Sequence, residues 1–227
     1  MNLANVPTSP PGPRYCLPSN LLLDEKERDA FLTSKTLDAA SKRSVGTRGL
    51  NVLGRLDQYF PVTRDAIDRF LQPIGCKVYQ INLFIVEPYV QSHKIHCDGV
   101  MWKGEPTMVD ARLNFFHISP GPGIIAWWEQ KIPMHIDIVP VRIGDQVVAH
   151  TCGWFSDWSQ NWPGWESIPD PDHACVTDMP SAFIKTSIPH TVLQGARKRI
   201  TVSAMLIDQD NDTPDGVFEK IRQLMGV

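Results

Sequence analysis

Two histidines and an aspartate have the types and spacing of a metal site. His96 and Asp98 are separated by one residue and follow a segment rich in β-branched and aromatic side chains. Residues i and i+2 of an extended chain point to the same side, so both side chains can bind one ion. His190 follows a later predicted strand. Two imidazoles and one carboxylate on one side of an ion leave its other positions open, which suits iron(II) that also binds a bidentate co-substrate and dioxygen.

A second polar group lies on the strand that follows His190. Period-two alternation places Arg199, Thr201 and Ser203 on one face and apolar residues on the other. A buried arginine needs a partner, and a carboxylate matches its planar donors, with a hydroxyl adding a further bond. A hairpin through Gln194-Gly195 would bring this strand beside His190. We therefore predict a carboxylate anchor close to the metal.

The elements that must position these residues are mostly strands. Runs rich in β-branched and aromatic residues predict strands at 78–86, 111–118, 123–128, 135–141, 146–150, 182–187 and 200–207. Short strands separated by glycine- and proline-containing turns favour an all-β sandwich or jelly roll over alternating βαβ units. Helices are predicted at 24–34, 63–72 and 215–225.

The domain organisation predicted from the sequence is simple. Residues 1–20 form a proline-rich N-terminal arm, and residues 21–227 form one domain with a tryptophan-rich insertion at about 129–180. Within the insertion, Trp154 and Trp158 are four residues apart, a spacing that would stack them on a helix. With Trp128 they could wall a substrate, or they could form a small core beneath a long loop.

Composition excludes several classes of function. The 227 residues carry a net charge of −3, so no broad basic surface is expected to bind long DNA or RNA. No run of about 18 apolar residues predicts a membrane span. The five cysteines are dispersed without a Cys-x-x-Cys pair. We expect free thiols, a reducing cytoplasm and no structural zinc knuckle.

From residue 78 to residue 206 the sequence resembles the iron(II)- and 2-oxoglutarate-dependent dioxygenase superfamily. The resemblance is carried by His96-Cys97-Asp98, by the turn Pro120–Gly123 before Trp127-Trp128, and by His190 with Arg199. It implies a mostly β fold, a double-stranded β-helix (jelly-roll, cupin-like) with flanking α-helices.

The resemblance also implies a reaction. Iron(II) would be bound by His96, Asp98 and His190, and 2-oxoglutarate would chelate it while Arg199 holds the far carboxylate. Dioxygen would be consumed, succinate and carbon dioxide released, and a C–H bond of a small-molecule or amino-acid-like substrate hydroxylated, with ascorbate as a supporting reductant. Asn114 and Tyr79 would hydrogen-bond the co-substrate.

A second His-x-Asp pair, His135 and Asp137, leaves the ligand assignment open. It lies 55 residues before His190, whereas His96 lies 94 residues before it. We favour His96 and Asp98, because the residues after Asp98 follow the superfamily order of strand, glycine-rich turn and strand. The isoleucines that alternate with His135 predict a half-buried strand with a solvent-exposed face.

Two other classes of function remain open. A cupin-type isomerase or a zinc hydrolase would keep the three metal ligands without needing Arg199. A non-enzymatic barrel that binds a ligand or a protein would need neither. The prime substrate and the oligomeric state do not follow from the sequence.

Overall fold

The structure is a computed structural model that describes residues 14–39, 50–53, 55–86, 94–116, 123–129, 132–143, 146–159, 170–193 and 198–227. The helices are α1 (Glu25–Leu32), α2 (Pro61–Leu71) and α3 (Val217–Met225). The strands are β1 (Cys16–Ser19), β2 (Leu50–Leu53), β3 (Cys76–Val86), β4 (Lys94–Trp102), β5 (Glu105–Met108), β6 (Ala111–Phe115), β7 (Ile124–Trp127), β8 (His135–Ile143), β9 (Gln146–Ser159), β10 (His173–Val176), β11 (Ser181–Lys185), β12 (His190–Leu193) and β13 (Arg199–Asp208).

The described strands form two antiparallel sheets. The order in one sheet is β1-β11-β6-β13-β3-β2, and in the other it is β10-β7-β12-β4-β9-β8, with β5 paired to β4. Along the chain, β3, β6, β11 and β13 of the first sheet therefore alternate with β4, β7, β10 and β12 of the second, except that β7 to β10 all lie in the second sheet. This alternation is the topology of a double-stranded β-helix, so the predicted fold class is confirmed.

Helices cover the outer face of the six-stranded sheet. Asp24 caps α1 by accepting hydrogen bonds from the backbone N–H groups of Lys26 and Glu27, each at 3.0 Å. The second helix begins at Pro61, two residues before the predicted start, because proline fits the first helical turn. These helices and α3 bury their apolar sides with outward residues of β3, β6, β11 and β13 in one core. The inner face of that sheet is not covered by these helices and can line a functional site.

Two boundaries and one predicted helix differ from the structure. Strand β1 lies inside the predicted arm and pairs with β11, with Leu17 only 1 % exposed; residues 1–13 lie outside the described residues. The predicted insertion includes β10, which belongs to the barrel. Trp154 and Trp158 lie on the long strand β9, so the predicted helical stacking is wrong. None of the helices in the described part of the chain is long and apolar enough to cross a membrane.

Candidate metal centre

The structure brings His96, Asp98 and His190 together inside the barrel. His96 and Asp98 lie on β4, and His190 is directly opposite His96 at the start of β12. The two imidazole rings have centroids 4.5 Å apart. One ligand atom from each of the three residues lies within 4.8 Å of the others. The pairing of β4 with β12 thus joins residues that are 94 positions apart in the sequence.

A backbone contact orients His190. Its Nδ1 lies 2.9 Å from the carbonyl oxygen of Ile188. Since a carbonyl can only accept, Nδ1 carries the proton and Nε2 keeps its lone pair for a metal. Burial lowers the pKa of His190 to about 4, and the neighbouring His96 acts in the same direction. The imidazole is therefore neutral at physiological pH, as metal binding requires.

Arg112 on β6 positions the aspartate. Its Nε donates to Oδ2 of Asp98, and its Nη1 donates to Oδ1 of Asn82 at 3.1 Å. The other carboxylate oxygen, Oδ1, lies 3.4 Å from Nε2 of His96. Burial alone would raise the pKa of Asp98, but Arg112 and then His96 outweigh it and hold that pKa well below its ordinary value. Asp98 is therefore a carboxylate with one oxygen facing the cluster.

Arg199 is buried beside this centre. Its side chain is 6 % exposed, and its Nε donates to the hydroxyl of Thr201 at 3.1 Å. Among the described residues, its Nη1 is buried without a hydrogen-bond partner. The guanidinium lies over the ring of Phe116, 5.1 Å from the centroid. Burial lowers the pKa of Arg199 to about 10, which leaves it charged at neutral pH.

Gly123 makes room for this guanidinium. A Cβ at this position would lie 2.6 Å from Nη1 of Arg199, so any larger residue would collide with it. This glycine is the last residue of the predicted Pro120–Gly123 turn, and the close approach gives it a physical role at the site.

One cavity contains the metal centre and Arg199. Thr201 and Asn114 also line it, and Oδ1 of Asn114 is buried without a partner among the described residues. The lining residues are Phe84, His96, Asp98, Arg112, Asn114, Ile125, Ile184, Thr186, His190, Val192, Arg199 and Thr201.

Two predicted co-substrate contacts lie outside this lining. Ser203 is fully buried opposite Asn114, two residues further along β13 than Thr201. Tyr79 packs against Trp102, with ring centroids 5.1 Å apart, in a cluster with Met205. An irregularity in the pairing of β13 with β3 at Met205 leaves Tyr79 without a partner in the register and changes the alternation there. The placement of Tyr79 gives its predicted role no support.

An aromatic side chain that the sequence did not indicate, Phe155, lies beside the metal centre. Its ring stacks on His96 at a centroid distance of 6.0 Å and an angle of 21°. Strand alternation places Trp154 on the opposite face of β9. Trp128 is fully buried in a core cluster with Ile95 and Ala126. The side chain of Trp158 lies outside the described residues.

His135 and Asp137 lie two strands away from the metal centre. Strand β9 lies between them. Its Phe155 pairs with His135 on one side and with His96 on the other, and its Gly153 pairs with Asp137 and with Asp98. The pair therefore shares the inner face of the sheet, about 10 Å from the ligands at ordinary strand spacing. Its side chains are 43 % and 47 % exposed.

The isoleucines of β8 do not form the predicted half-buried face. Ile136 is 48 % exposed and Ile138 is 52 % exposed. Strand β8 ends the strand order of its sheet, outside the eight strands of the barrel. Among the described residues, no second layer covers its outer face.

Comparisons with known proteins add a fold likeness. No protein-family model matches the chain, and no curated protein matches it. HygX from Streptomyces hygroscopicus, solved with nickel and 2-oxoglutarate bound, is 8 % identical over 84 % of this chain and 81 % of its own, with a TM-score of 0.43. The 2-oxoglutarate-dependent carbocyclase SnoK is 13 % identical over 85 % and 78 %, with a TM-score of 0.41. The viral collagen prolyl hydroxylase of Paramecium bursaria Chlorella virus-1 is 12 % identical over 85 % and 95 %, with a TM-score of 0.38. These identities and TM-scores are too low to indicate an activity.

Proposed function

We propose that this protein is an iron(II)- and 2-oxoglutarate-dependent dioxygenase. The observation that supports this most directly is Arg199, a buried cation that shares one cavity with His96, Asp98 and His190. Burying a guanidinium without a counter-charge is costly. A cavity that contains one is therefore suited to an anionic ligand. A zinc hydrolase or an isomerase with the same three metal ligands would not need it.

The cavity suits iron(II) and a dicarboxylate together. Two imidazoles and one carboxylate form the donor set of non-haem iron(II) oxygenases. Asp98 is the acidic residue of the lining, whereas Arg112 and Arg199 are both cations. A divalent ion adds to that excess of positive charge, and 2-oxoglutarate would offset it. Its keto-acid end fits the metal, and its far carboxylate fits Nη1 of Arg199 and the hydroxyl of Thr201.

The protein's own residues would hold the metal and the co-substrate and fix their orientation. Arg112 keeps Asp98 ionised, and the carbonyl of Ile188 fixes the tautomer of His190. Ile125 and Val192 give the cavity apolar walls that exclude water. When bound, iron(II) and 2-oxoglutarate together supply the oxidising chemistry with dioxygen.

The substrate side of the site lies towards β9 and β8. The ring of Phe155 lies beside His96. His135 and Asp137 lie one strand further from the cluster, in register with Phe155 and Gly153. An aromatic surface followed by a polar pair suits a small-molecule or amino-acid-like substrate with an apolar part and a hydrogen-bonding group. Phe155→Ala should then weaken substrate-stimulated turnover while leaving metal binding intact.

The direct test is co-substrate turnover by the purified protein. We expect oxygen consumption and succinate release with iron(II), 2-oxoglutarate and ascorbate, and loss of both with His190→Ala. Protein that retains zinc through purification and neither binds nor converts 2-oxoglutarate would replace this proposal with a zinc hydrolase.

A further inference from the structure

Two cysteines that are distant in the sequence lie in contact. Cys16 on β1 and Cys175 on β10 have their Sγ atoms 2.8 Å apart, and each residue is only 2 % exposed. A disulfide bond is about 2.05 Å long, so the sulfurs need to approach by only about 0.8 Å to form one. All five cysteines are free thiols, as the sequence predicts, but these two lie in contact.

The pair lies where β1 of one sheet meets β10 of the other, and we call this contact the seam. In the described strand orders, β1 ends one sheet and β10 ends the other. Each has four residues and pairs with one neighbour, β11 or β7. Such edge strands open more readily than central ones. Local opening of these edges would give a small oxidant access to thiols that are buried in the closed structure.

Side chains next to the cysteines hold the seam in register. The hydroxyl of Tyr15 donates to Oε1 of Glu129 at 2.8 Å, and Nε2 of His173 lies 2.8 Å from the same oxygen. The rings of Tyr15 and His173 pack edge to face, with centroids 5.1 Å apart. These contacts among Tyr15, Glu129 and His173 keep Cys16 near Cys175 before any disulfide forms between them.

The two thiols differ in reactivity. The hydrogen bond with Cys16 lowers the pKa of Cys175, and Arg199 acts in the same direction, against the effect of burial. The same hydrogen bond and burial raise the pKa of Cys16. The thiolate is the nucleophile, which favours attack by Cys175. Either sulfur can donate the hydrogen bond, and attack by Cys16 would give the same disulfide.

We propose that Cys16 and Cys175 form a peroxide-sensitive thiol pair that closes a disulfide across the seam between β1 and β10. The Cys175 thiolate attacks one oxygen of hydrogen peroxide, the O–O bond breaks, and a sulfenic acid and, after protonation, water result. Cys16 then attacks that sulfur, the S–O bond breaks, and a second water leaves. Two thiols are oxidised to one disulfide, and one peroxide is reduced to two waters.

The disulfide would fix the wall of the candidate metal cavity. Cys16 is opposite Ile184 on β11, and Cys175 is opposite Ile125 on β7. Both isoleucines line that cavity. The bond would also close a very long loop of the unfolded chain. We therefore expect the oxidised protein to melt roughly 5–15 °C higher than the reduced one.

The test uses the full chain with equimolar hydrogen peroxide and then a thiol-alkylating label under denaturing conditions. The reduced protein should take five labels, one for each cysteine, and the oxidised protein two fewer. Peptide mass mapping of wild-type protein should find Cys16 linked to Cys175, and dithiothreitol should reverse both the link and the rise in melting temperature. Cys16→Ser should remove the rise. Cys76→Ser is the matched control, since Cys76 is also buried but its Sγ contacts the carbonyl of Ile74.

Several results would overturn the proposal. Peroxide-treated protein that still takes five labels has formed no disulfide. A disulfide that involves another cysteine would contradict the proposed pairing. So would a sulfinic acid on Cys175 without any disulfide. A rise in melting temperature that survives in both Cys16→Ser and Cys175→Ala does not come from this pair. The mapping on wild-type protein keeps the test valid if either variant fails to fold. None of these outcomes depends on the proposed oxygenase activity.

Discussion

Arg199 distinguishes a 2-oxoglutarate oxygenase from other metal-binding barrels, so its replacement is the most informative perturbation. Arg199→Ala removes the cation that would pair with the far carboxylate of 2-oxoglutarate. At 6 % exposure, solvent does little to compensate. Breaking a buried ion pair on one side costs about 3–5 kcal/mol. The dissociation constant for 2-oxoglutarate should therefore rise roughly 10²–10³·⁵-fold.

Two milder variants grade the effect. Arg199→Lys keeps the charge but loses the planar fork, so one charge-assisted hydrogen bond of about 1.5–3 kcal/mol is lost, or roughly 10–100-fold in affinity. Thr201→Val loses one hydroxyl bond, which is about 1 kcal/mol and less than tenfold. Arg28→Ala is the control, because Arg28 is partly exposed on α1, pairs with Asp29 and is not among the residues that line the cavity.

Replacing Arg199 should lower the affinity for 2-oxoglutarate without lowering the stability of the ligand-free protein. In the ligand-free protein the guanidinium of Arg199 is buried with Nη1 unpaired among the described residues. Arg199→Met keeps much of the side-chain volume without the charge, so the melting temperature of the ligand-free protein should stay the same or rise. A variant that loses co-substrate affinity yet is at least as stable cannot have lost it by misfolding.

The assay is calorimetric titration of 2-oxoglutarate into the manganese-loaded protein, with manganese affinity measured separately. We expect manganese affinity to be retained in all Arg199 variants. If Arg199→Ala binds 2-oxoglutarate as tightly as the wild type, Arg199 is not the anchor. If the wild type binds manganese but no 2-oxoglutarate, the oxygenase proposal itself fails.

Three further predictions concern the metal centre. His96→Ala or His190→Ala should abolish manganese binding, while His135→Ala should leave it intact; the reverse result in calorimetry would move the site to β8. Manganese with 2-oxoglutarate at a hundredfold excess over its dissociation constant should add about 2.7 kcal/mol of stability beyond manganese alone. Equal melting temperatures with and without 2-oxoglutarate would contradict this. Arg112→Met should weaken metal binding about 10–100-fold, because Asp98 loses the partner that orients it; unchanged affinity would show that Asp98 is held without Arg112.

The sequence was most informative where local alternation determines position. The period-two pattern of β13 put Arg199 and Thr201 on one face, and the structure places both in one cavity. The same argument applied to β6 would have found Arg112 beside Asn114. Tyr79 shows the limit of this approach, because a pairing irregularity near Met205 breaks the alternation and nothing in the sequence marks it.

Contacts between distant segments could not be predicted in the same way. Cys16 and Cys175 meet only because β1 and β10 end their respective sheets. The stacking of Phe155 on His96 depends on β9 pairing with β4, whereas the tryptophans around it suggested a helix. In both cases the contact depends on which strands become neighbours, and the local composition of a strand does not predict its neighbours.

The two arginines of the cavity explain how the site is polarised. Arg112 has its Nε on Asp98 and its Nη1 on Asn82, so its charge is already matched by the carboxylate that faces the metal. Arg199 has only the neutral hydroxyl of Thr201 as its hydrogen-bond partner among the described residues. An anionic ligand therefore gains more at Arg199 than at Arg112. This difference would orient a bound dicarboxylate with one end at the ligand cluster of β4 and β12 and the other at the start of β13. Phe155 stacks on His96 beside the ligand cluster, and a substrate could approach a bound metal from that side.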